Sequence, residues 1–303
     1  MFNFLMIAFC LLAGYLVRRF KLVPSDSYKA INIWVIYIGL PATAFKYLPT
    51  LAWDNTLLVA VVAPMLILLG SVMFVKVLGR FLRLSKRTAH TLMLVSGLSN
   101  TSFVGFPLVA SYFGEDQVRW AIICDQVTFM LLSTVGIVIA LRGGLGPRGA
   151  ISFRPIAKRV FSFPPLIGCL LALSIPRFIN IDTLSPFFHQ LASTVSPLAL
   201  FSIGMQMSFT FYRSEVVTMS LSLCYKLLLG PALLVLLFYL LDLKGDVVRI
   251  TAFEMAMPSL VATSMVLQEF KLNVKLGNAI IGVSIILGLL TTWGFFVLTQ
   301  TFL

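Results

Sequence analysis

Two polar clusters and three isolated ionisable residues interrupt an otherwise apolar chain, and these are the groups with chemistry to offer. The first cluster is Ser99-Asn100-Thr101-Ser102, followed by Gly105 and Pro107; the second is Pro258-Ser259, followed by Thr263 and Ser264. Pro107 carries no N–H and its ring crowds the carbonyl four residues back, so Phe103 loses its helical partner. Pro258 does the same in the second cluster. A helix broken in this way frees backbone N–H groups and turns the positive end of a half-helix dipole toward the break, a combination that favours an anion, typically a carboxylate. Hydroxyl and amide donors from Asn100, Thr101, Ser102, Ser259 and Thr263 suit the same ligand. Asn100-Thr101-Ser102 also matches the glycosylation sequon, which at membrane depth is out of reach of the transferase.

The ionisable residues are Asp125, Lys226 and Glu254. Charges inside apolar spans are costly and mark functional positions by default. Lys226 offers a fixed positive charge for a carboxylate, either the ligand's or that of Asp125 or Glu254; the competing reading is a lysine snorkelling to the interface. Asp125 and Glu254 offer proton coupling, because burial favours the neutral acid. Against this stand structural pairing for Asp125 and interfacial hydration for Glu254.

Other chemistry is not expected. His90 and His189 have no Cys, Asp or second His at ligand spacing, so no metal site is expected. Cys10, Cys124, Cys169 and Cys224 lie in apolar stretches without a CxxC pair and read as inert core thiols. Met205 and Met207, after Pro197, and Met255, Met257 and Met265, around Pro258, flank two breaks as gap-filling packing or as a soft lining. The chain contains no H-E-x-x-H, no Ser/His/Asp set and no phosphate-binding G-x-x-x-x-G-K-[ST], so neither catalytic residues nor cofactors are expected.

The elements that must position these residues follow from composition. Of 303 residues, 59% are hydrophobic and 11% charged, with a mean hydropathy of +0.99; soluble domains run at ~45–50% and ~25%. Apolar runs of about twenty residues recur along the whole length, the signature of membrane helices. Charged, Pro-rich and Gly-rich punctuation divides the chain into ten spans at roughly 2–17, 30–48, 56–79, 88–112, 118–141, 160–179, 186–210, 215–241, 247–268 and 274–302. The fold class expected is therefore an all-α polytopic membrane protein with broken crossing helices in spans 4 and 9.

The net charge of +12 would suggest nucleic acid in a soluble protein, but its distribution points to topology. Loops and span ends after spans 1, 3, 5, 7 and 9 hold 4, 5, 5, 1 and 2 Lys or Arg, 17 in all. Those after the even spans hold 5, and Lys226 lies within span 8. The basic loops face the cytoplasm by the positive-inside rule, so both termini are expected on the other side. Arg18, Arg19 and Lys21 follow the first span rather than preceding it, the reverse of a cleavable signal peptide. A bacterial inner-membrane location is expected.

Sliding the chain against itself by about 156 residues places Pro41 (Gly39-Leu40-Pro41-Ala42) on Pro197 (Ser196-Pro197-Leu198-Ala199). At nearly the same offset Phe113 falls on Phe270, although Pro107 and Pro258 fall at different depths. Five spans per repeat make the halves inverted, so residues 1–150 and 151–303 read as two five-helix repeats, joined by the Gly- and Pro-rich stretch 142–159. Two broken helices in inverted halves would cross near the midplane.

The segments Ile31–Phe45 (INIWVIYIGLPATAF), Ser99–Pro107 (SNTSFVGFP), Lys226–Pro231 (KLLLGP) and Ala256–Ser259 (AMPS) resemble, in order and spacing over nearly the whole chain, the auxin efflux carrier family. That family includes the plant PIN carriers and bacterial carriers for malate, malonate and similar acids. Ser102 departs from its pattern, in which Gly is frequent. The resemblance implies a scaffold of spans 1, 2, 6 and 7 that often dimerises, and a mobile transport domain of spans 3–5 and 8–10. It implies elevator-like movement of a small organic anion. By the same resemblance Asn100 and Pro107 match the first crossover, Pro258 the second, and Pro41 and Pro197 the scaffold breaks facing it. The partners expected are thus the anion, membrane lipid, a second copy of the chain and a coupling proton or sodium ion. Two alternatives remain: a sodium-coupled symporter of the bile-acid carrier type, which shares the inverted plan, and an intramembrane enzyme acting on lipid.

Overall fold

A computed structural model describes residues 2–24, 26–49, 57–144, 161–179, 181–207 and 215–303. From position 145 on, the connecting stretch 142–159 lies outside these residues. The protein is an all-α membrane protein: among the described residues there is no β-strand, and the only extended pairing is an isolated bridge between Ser99 and Ser259. Among the described residues, four helical stretches are long and apolar enough to cross a membrane: Leu57–Leu82, Glu115–Gly143, Val216–Leu240 and Val274–Phe302, with mean hydropathies of 2.7, 2.0, 2.1 and 2.2.

Contacts divide the chain into two compact units that do not follow its halves. The first comprises Met1–Asp54, Ser102–Ile122 and Ala157–Met207; the second Asn55–Thr101, Ile123–Ile156 and Ser208–Leu303.

In the first unit, α1 (Phe2–Arg19) is followed by α2 (Tyr28–Trp34), a π-helical turn at Val35–Gly39 and α3 (Leu40–Tyr47). Helix α1 lies against the later helix Val195–Gln206 at a crossing of small residues. A Cβ on Gly14 would overlap the Phe201 carbonyl, and one on Gly204 would overlap that of Leu11. Such close approach, available only to glycine, replaces the hydrophobic drive that lipid cannot supply. Arg18 donates to the Met205 carbonyl at 2.8 Å, placing a cation at the C-terminal end of the partner helix. Outward on the same unit, Phe45 stacks on Phe188 with centroids 4.5 Å apart, and Lys46 pairs with Glu115 at 3.1 Å.

The second unit contains α4 (Leu57–Leu82), α5 (Lys86–Gly97) and most of α7 (Val118–Leu131), with α6 (Phe106–Tyr112) belonging to the first unit. It continues through a π-turn at Leu132–Gly136 into α8 (Ile137–Gly143). After α9 (Pro164–Ser174), α10 (Ser185–Ser193) and α11 (Val195–Gln206) of the first unit come α12 (Val216–Cys224), a π-turn at Tyr225–Leu229 and α13 (Gly230–Leu240). Last are α14 (Asp246–Met255), α15 (Thr263–Glu269) and α16 (Val274–Phe302). Its apolar core joins Ala60, Ala63 and Ile67 of α4 to Val248, Ala252 and Met255 of α14, with Leu234, Val235 and Phe238 of α13 and Phe295 of α16.

Three of the π-turns share a cause. Val35–Gly39 is followed by Leu40-Pro41, Thr101–Gly105 by Phe106-Pro107, and Tyr225–Leu229 by Gly230-Pro231. In each the residue four before the proline, Tyr37, Phe103 or Leu227, lies inside the widened turn. The backbone relieves the clash with the ring by loosening there, and the proline then sits in the first turn of the next helix, where its missing N–H costs nothing.

Hydrogen bonds also show which loop ends meet. Asn273 Nδ2 donates to Thr88 Oγ1 at 3.3 Å and to Glu215 Oε1 at 3.0 Å, joining the first turn of α5 to the residues that precede α12 and α16. Separately, the Gly245 N–H donates to the Leu303 carbonyl at 3.3 Å.

Candidate functional site

Helix α5 ends at Gly97 and α14 at Met255, and past each the chain unwinds: Leu98–Asn100 on one side and Ala256–Ala262 on the other. The two unwound segments pair antiparallel. Asn100 N–H donates to the Pro258 carbonyl at 2.8 Å, and Leu260 N–H donates to the Leu98 carbonyl at 3.0 Å, framing the Ser99–Ser259 bridge. Non-helical backbone at membrane depth is tolerable where protein satisfies it, and here each segment supplies the other. The first interruption thus lies ahead of Pro107, which sits at the second position of α6; Pro258 lies within the break itself.

Around this crossover the second unit gathers buried polar groups. Ser259 N–H donates to Ser284 Oγ of α16 at 3.1 Å, and the ring of Pro258 rests on Gly288, where a Cβ would come within 2.8 Å of its Cγ. Thr101 Oγ1 donates to Asp125 Oδ1 at 2.8 Å, tying α7 to the crossover, and Gln126 Nε2 donates to Asp125 Oδ2 at 3.4 Å. Lys226, on the π-turn after α12, is fully buried; its ammonium donates to Ser99 Oγ and to the Met255 carbonyl at 3.2 Å. That carbonyl belongs to the last residue of α14, so Lys226 neutralises the negative end of this half-helix. Snorkelling is excluded by these contacts. No carboxylate oxygen among the described residues comes within ion-pair distance of its Nζ. Glu254, one residue earlier, is fully buried too, and neither carboxyl oxygen has a hydrogen-bond partner among the described residues.

Three further side chains of the crossover are buried with a polar atom unpartnered among the described residues: Asn100 Nδ2, Ser259 Oγ and Thr263 Oγ1. Buried polar atoms are satisfied in nearly all native structures, so a cluster of orphans at one place indicates a ligand or water position. Asn100 offers N–H donors and the two hydroxyls can donate as well, a set suited to carboxylate oxygens.

Of the residues singled out in the sequence, Asn100, Thr101, Asp125, Lys226, Glu254, Pro258, Ser259 and Thr263 all belong to this second unit. Ser102 and Pro107, both buried, belong to the first unit, as do Pro41 and Pro197. Pro41 packs on Gly168 of α9, where a Cβ would come within 2.7 Å of its Cα. Two serines join the site beyond the residues the sequence marks, Ser99 and Ser284. Ser99 is visible in the first polar cluster, but Ser284 sits within an apolar stretch of α16, and only the packing of α16 on the second break reveals it.

The chain matches the membrane transport protein family over residues 1–146 and 152–296. It is similar to an uncharacterized transporter of Methanocaldococcus jannaschii, at 27% identity over 97% of both chains. It is also similar to an uncharacterized transporter of Methanothermobacter thermautotrophicus, at 26% identity over 92% of both chains. Broken, proline-punctuated helices crossing at a buried polar centre accord with that assignment, and an enzyme does not: this chain belongs to the membrane transport protein family, of the auxin efflux carrier type, and is a membrane transporter.

Proposed function

We propose that the protein is a secondary transporter of small organic anions, mono- or dicarboxylates such as malate or malonate, with the substrate carboxylate held at the crossover of the two unwound segments. The observation that carries this reading is the set of buried, unpartnered donors at Asn100, Ser259 and Thr263 beside the paired backbones of 98–100 and 256–262. The ammonium of Lys226, buried at the same crossover on Ser99 and Met255, supplies positive potential there without being consumed by an ion pair. A neutral or cationic substrate would leave that potential unused.

The architecture proposed is ten spans in two inverted five-helix repeats, residues 1–150 and 151–303, with both termini non-cytoplasmic. Two observations support it. Asn273, Thr88 and Glu215 lie at connections that follow odd spans, and Arg18, just after span 1, reaches Met205 near the end of span 7. Lys46, near the end of span 2, pairs with Glu115 after span 4, and Gly245, after span 8, meets Leu303 after span 10. The first compact unit contains spans 1, 2, 6 and 7 together with residues 102–122 of spans 4 and 5, and the second contains the paired segments of the crossover; the grouping of spans 1, 2, 6 and 7 supports an elevator-type cycle in which the second unit carries the anion. Residues Ser102, Pro107, Pro41 and Pro197 are proposed to line the substrate's path.

Uptake of radiolabelled malate or malonate into proteoliposomes, against lipid-only vesicles and an Asn100→Ala variant, tests this function. Saturable uptake that falls at least tenfold in the variant supports it. Acid-independent behaviour of both proteins, with movement of an amine or a lipid instead, rejects it.

A further inference from the structure

Glu254 presents an unresolved charge. Its carboxyl group is fully buried at membrane depth and accepts no hydrogen bond among the described residues. The facing charged groups are few. From the π-turn after α12 comes Lys226, whose ammonium is engaged with Ser99 Oγ and the Met255 carbonyl. From α7 comes Asp125, a like charge, together with the thiol of Cys124, which donates to Thr251 Oγ1 at 3.7 Å. The apolar residues that α4, α13 and α16 pack with α14 are Ala60, Ala63 and Ile67, then Leu234, Val235 and Phe238, then Phe295. An ionised carboxylate with no donor and no contacting cation is among the most costly groups to bury. A metal cation is a poor remedy, because the hydroxyl of Ser99 and the carbonyl of Met255, oxygens that would coordinate it, already hold the Lys226 ammonium.

We propose that Glu254 carries one exchangeable proton, and that this proton travels with the anion. The carboxylate takes a proton from water on the side where the anion binds, becoming the neutral acid, and returns it to water on the opposite side. Lys226 acts as the built-in cation that makes a sodium ion unnecessary. A monoanion would then cross without net charge, and a dianion with one negative charge. Only the transport half of this inference rests on the anion-carrier reading; the protonation of Glu254 stands on the burial and the contacts alone.

The two halves are tested separately. Infrared spectroscopy of the purified protein at neutral pH should show the C=O stretch of a protonated carboxylic acid, sensitive to D2O and missing in Glu254→Gln. Replacing potassium by sodium should leave the band in place. Asp125→Asn, a second variant, should retain it. A band identical in Glu254→Gln, one that sodium abolishes, or one lost in Asp125→Asn would each overturn the assignment. In proteoliposomes with the membrane potential clamped at zero, one proton per malate monoanion equivalent raises the steady-state accumulation ratio about tenfold per pH unit of gradient. Glu254→Gln should be insensitive to the gradient. Malate accumulation in the wild type that ignores the pH gradient would overturn the coupling. If no malate moves in any protein, the anion reading fails while the infrared band still decides the protonation.

Discussion

The buried ammonium of Lys226 donates to the carbonyl of Met255, the residue at which α14 ends, and through Ser99 Oγ it also holds the opposite unwound segment. One side chain thus fastens both arms of the crossover. Its reach from a neighbouring helix explains how two interrupted spans keep a fixed register where regular helical bonding is absent.

Removing that fastener should loosen the site. Lys226→Met deletes donors to two buried oxygens, and each buried group left short of a partner costs ~1–3 kcal/mol. Thermal unfolding in lipid or detergent should show a clear fall in midpoint, larger than for Lys226→Arg if the guanidinium keeps either contact. An unchanged midpoint for Lys226→Met would mean that the crossover is held by the backbone pairing alone.

Asn100 separates binding from folding. Its Nδ2 has no partner among the described residues, so Asn100→Leu keeps the approximate side-chain volume while deleting a donor beside the proposed carboxylate. Without ligand the melting midpoint should move little. Affinity for the substrate should drop at least tenfold, from loss of a charge-assisted hydrogen bond worth ~1.5–3 kcal/mol. Equilibrium binding on the purified variant checks both.

Glycines behind the prolines should tolerate no Cβ. At Gly288 the added methyl would lie 2.8 Å from Pro258 Cγ, and at Gly168 2.7 Å from Pro41 Cα. Overpacking of this kind costs ~1–3 kcal/mol. Gly288→Ala should also weaken substrate binding, since Pro258 is part of the crossover; Gly168→Ala should lower stability. Gly294→Ala, with nothing near its Cβ position, is the matched control.

Topology is open to a labelling test. Asp116 and Asp242 lie in exposed segments that follow even spans, and Arg83 and Lys271 in exposed segments that follow odd ones. In a background lacking the native cysteines, cysteine at the first two positions should react with a membrane-impermeant maleimide in intact cells. Cysteine at the latter two should react only after permeabilisation. Labelling of Asp242→Cys and Lys271→Cys from the same side would contradict the ten-span arrangement.

The broken spans and the residues bordering them are legible in the sequence because proline and clustered polar residues are local signals. Pro258 falls in its break. Pro107 does not: its clash is absorbed by the π-turn of Thr101–Gly105, and the chain unwinds at Leu98–Asn100, where pairing with 258–260 replaces the helical bonds. No local rule foresees that exchange, because it depends on a segment more than 150 residues away. Lys226 stands out in the sequence as a buried charge, but its acceptors, a serine hydroxyl and a helix-terminal carbonyl, come from two other spans. Ser284 is silent for the same reason: a hydroxyl in an apolar helix commonly bonds its own backbone, and this one also receives the Ser259 N–H.

Ligand-induced thermal stabilisation of the purified protein tests the central claim most directly. The probes are malate, malonate, succinate, lactate and indole-3-acetate, applied to the wild type and to Asn100→Ala. A hundredfold excess over the dissociation constant should stabilise the folded protein by ~2.7 kcal/mol if the unfolded chain does not bind. The account predicts that at least one acid raises the wild-type midpoint and that Asn100→Ala loses the response. Stabilisation of both proteins to the same extent would place the anion away from the crossover, and stabilisation only by an amine or a lipid would contradict the carboxylate site altogether.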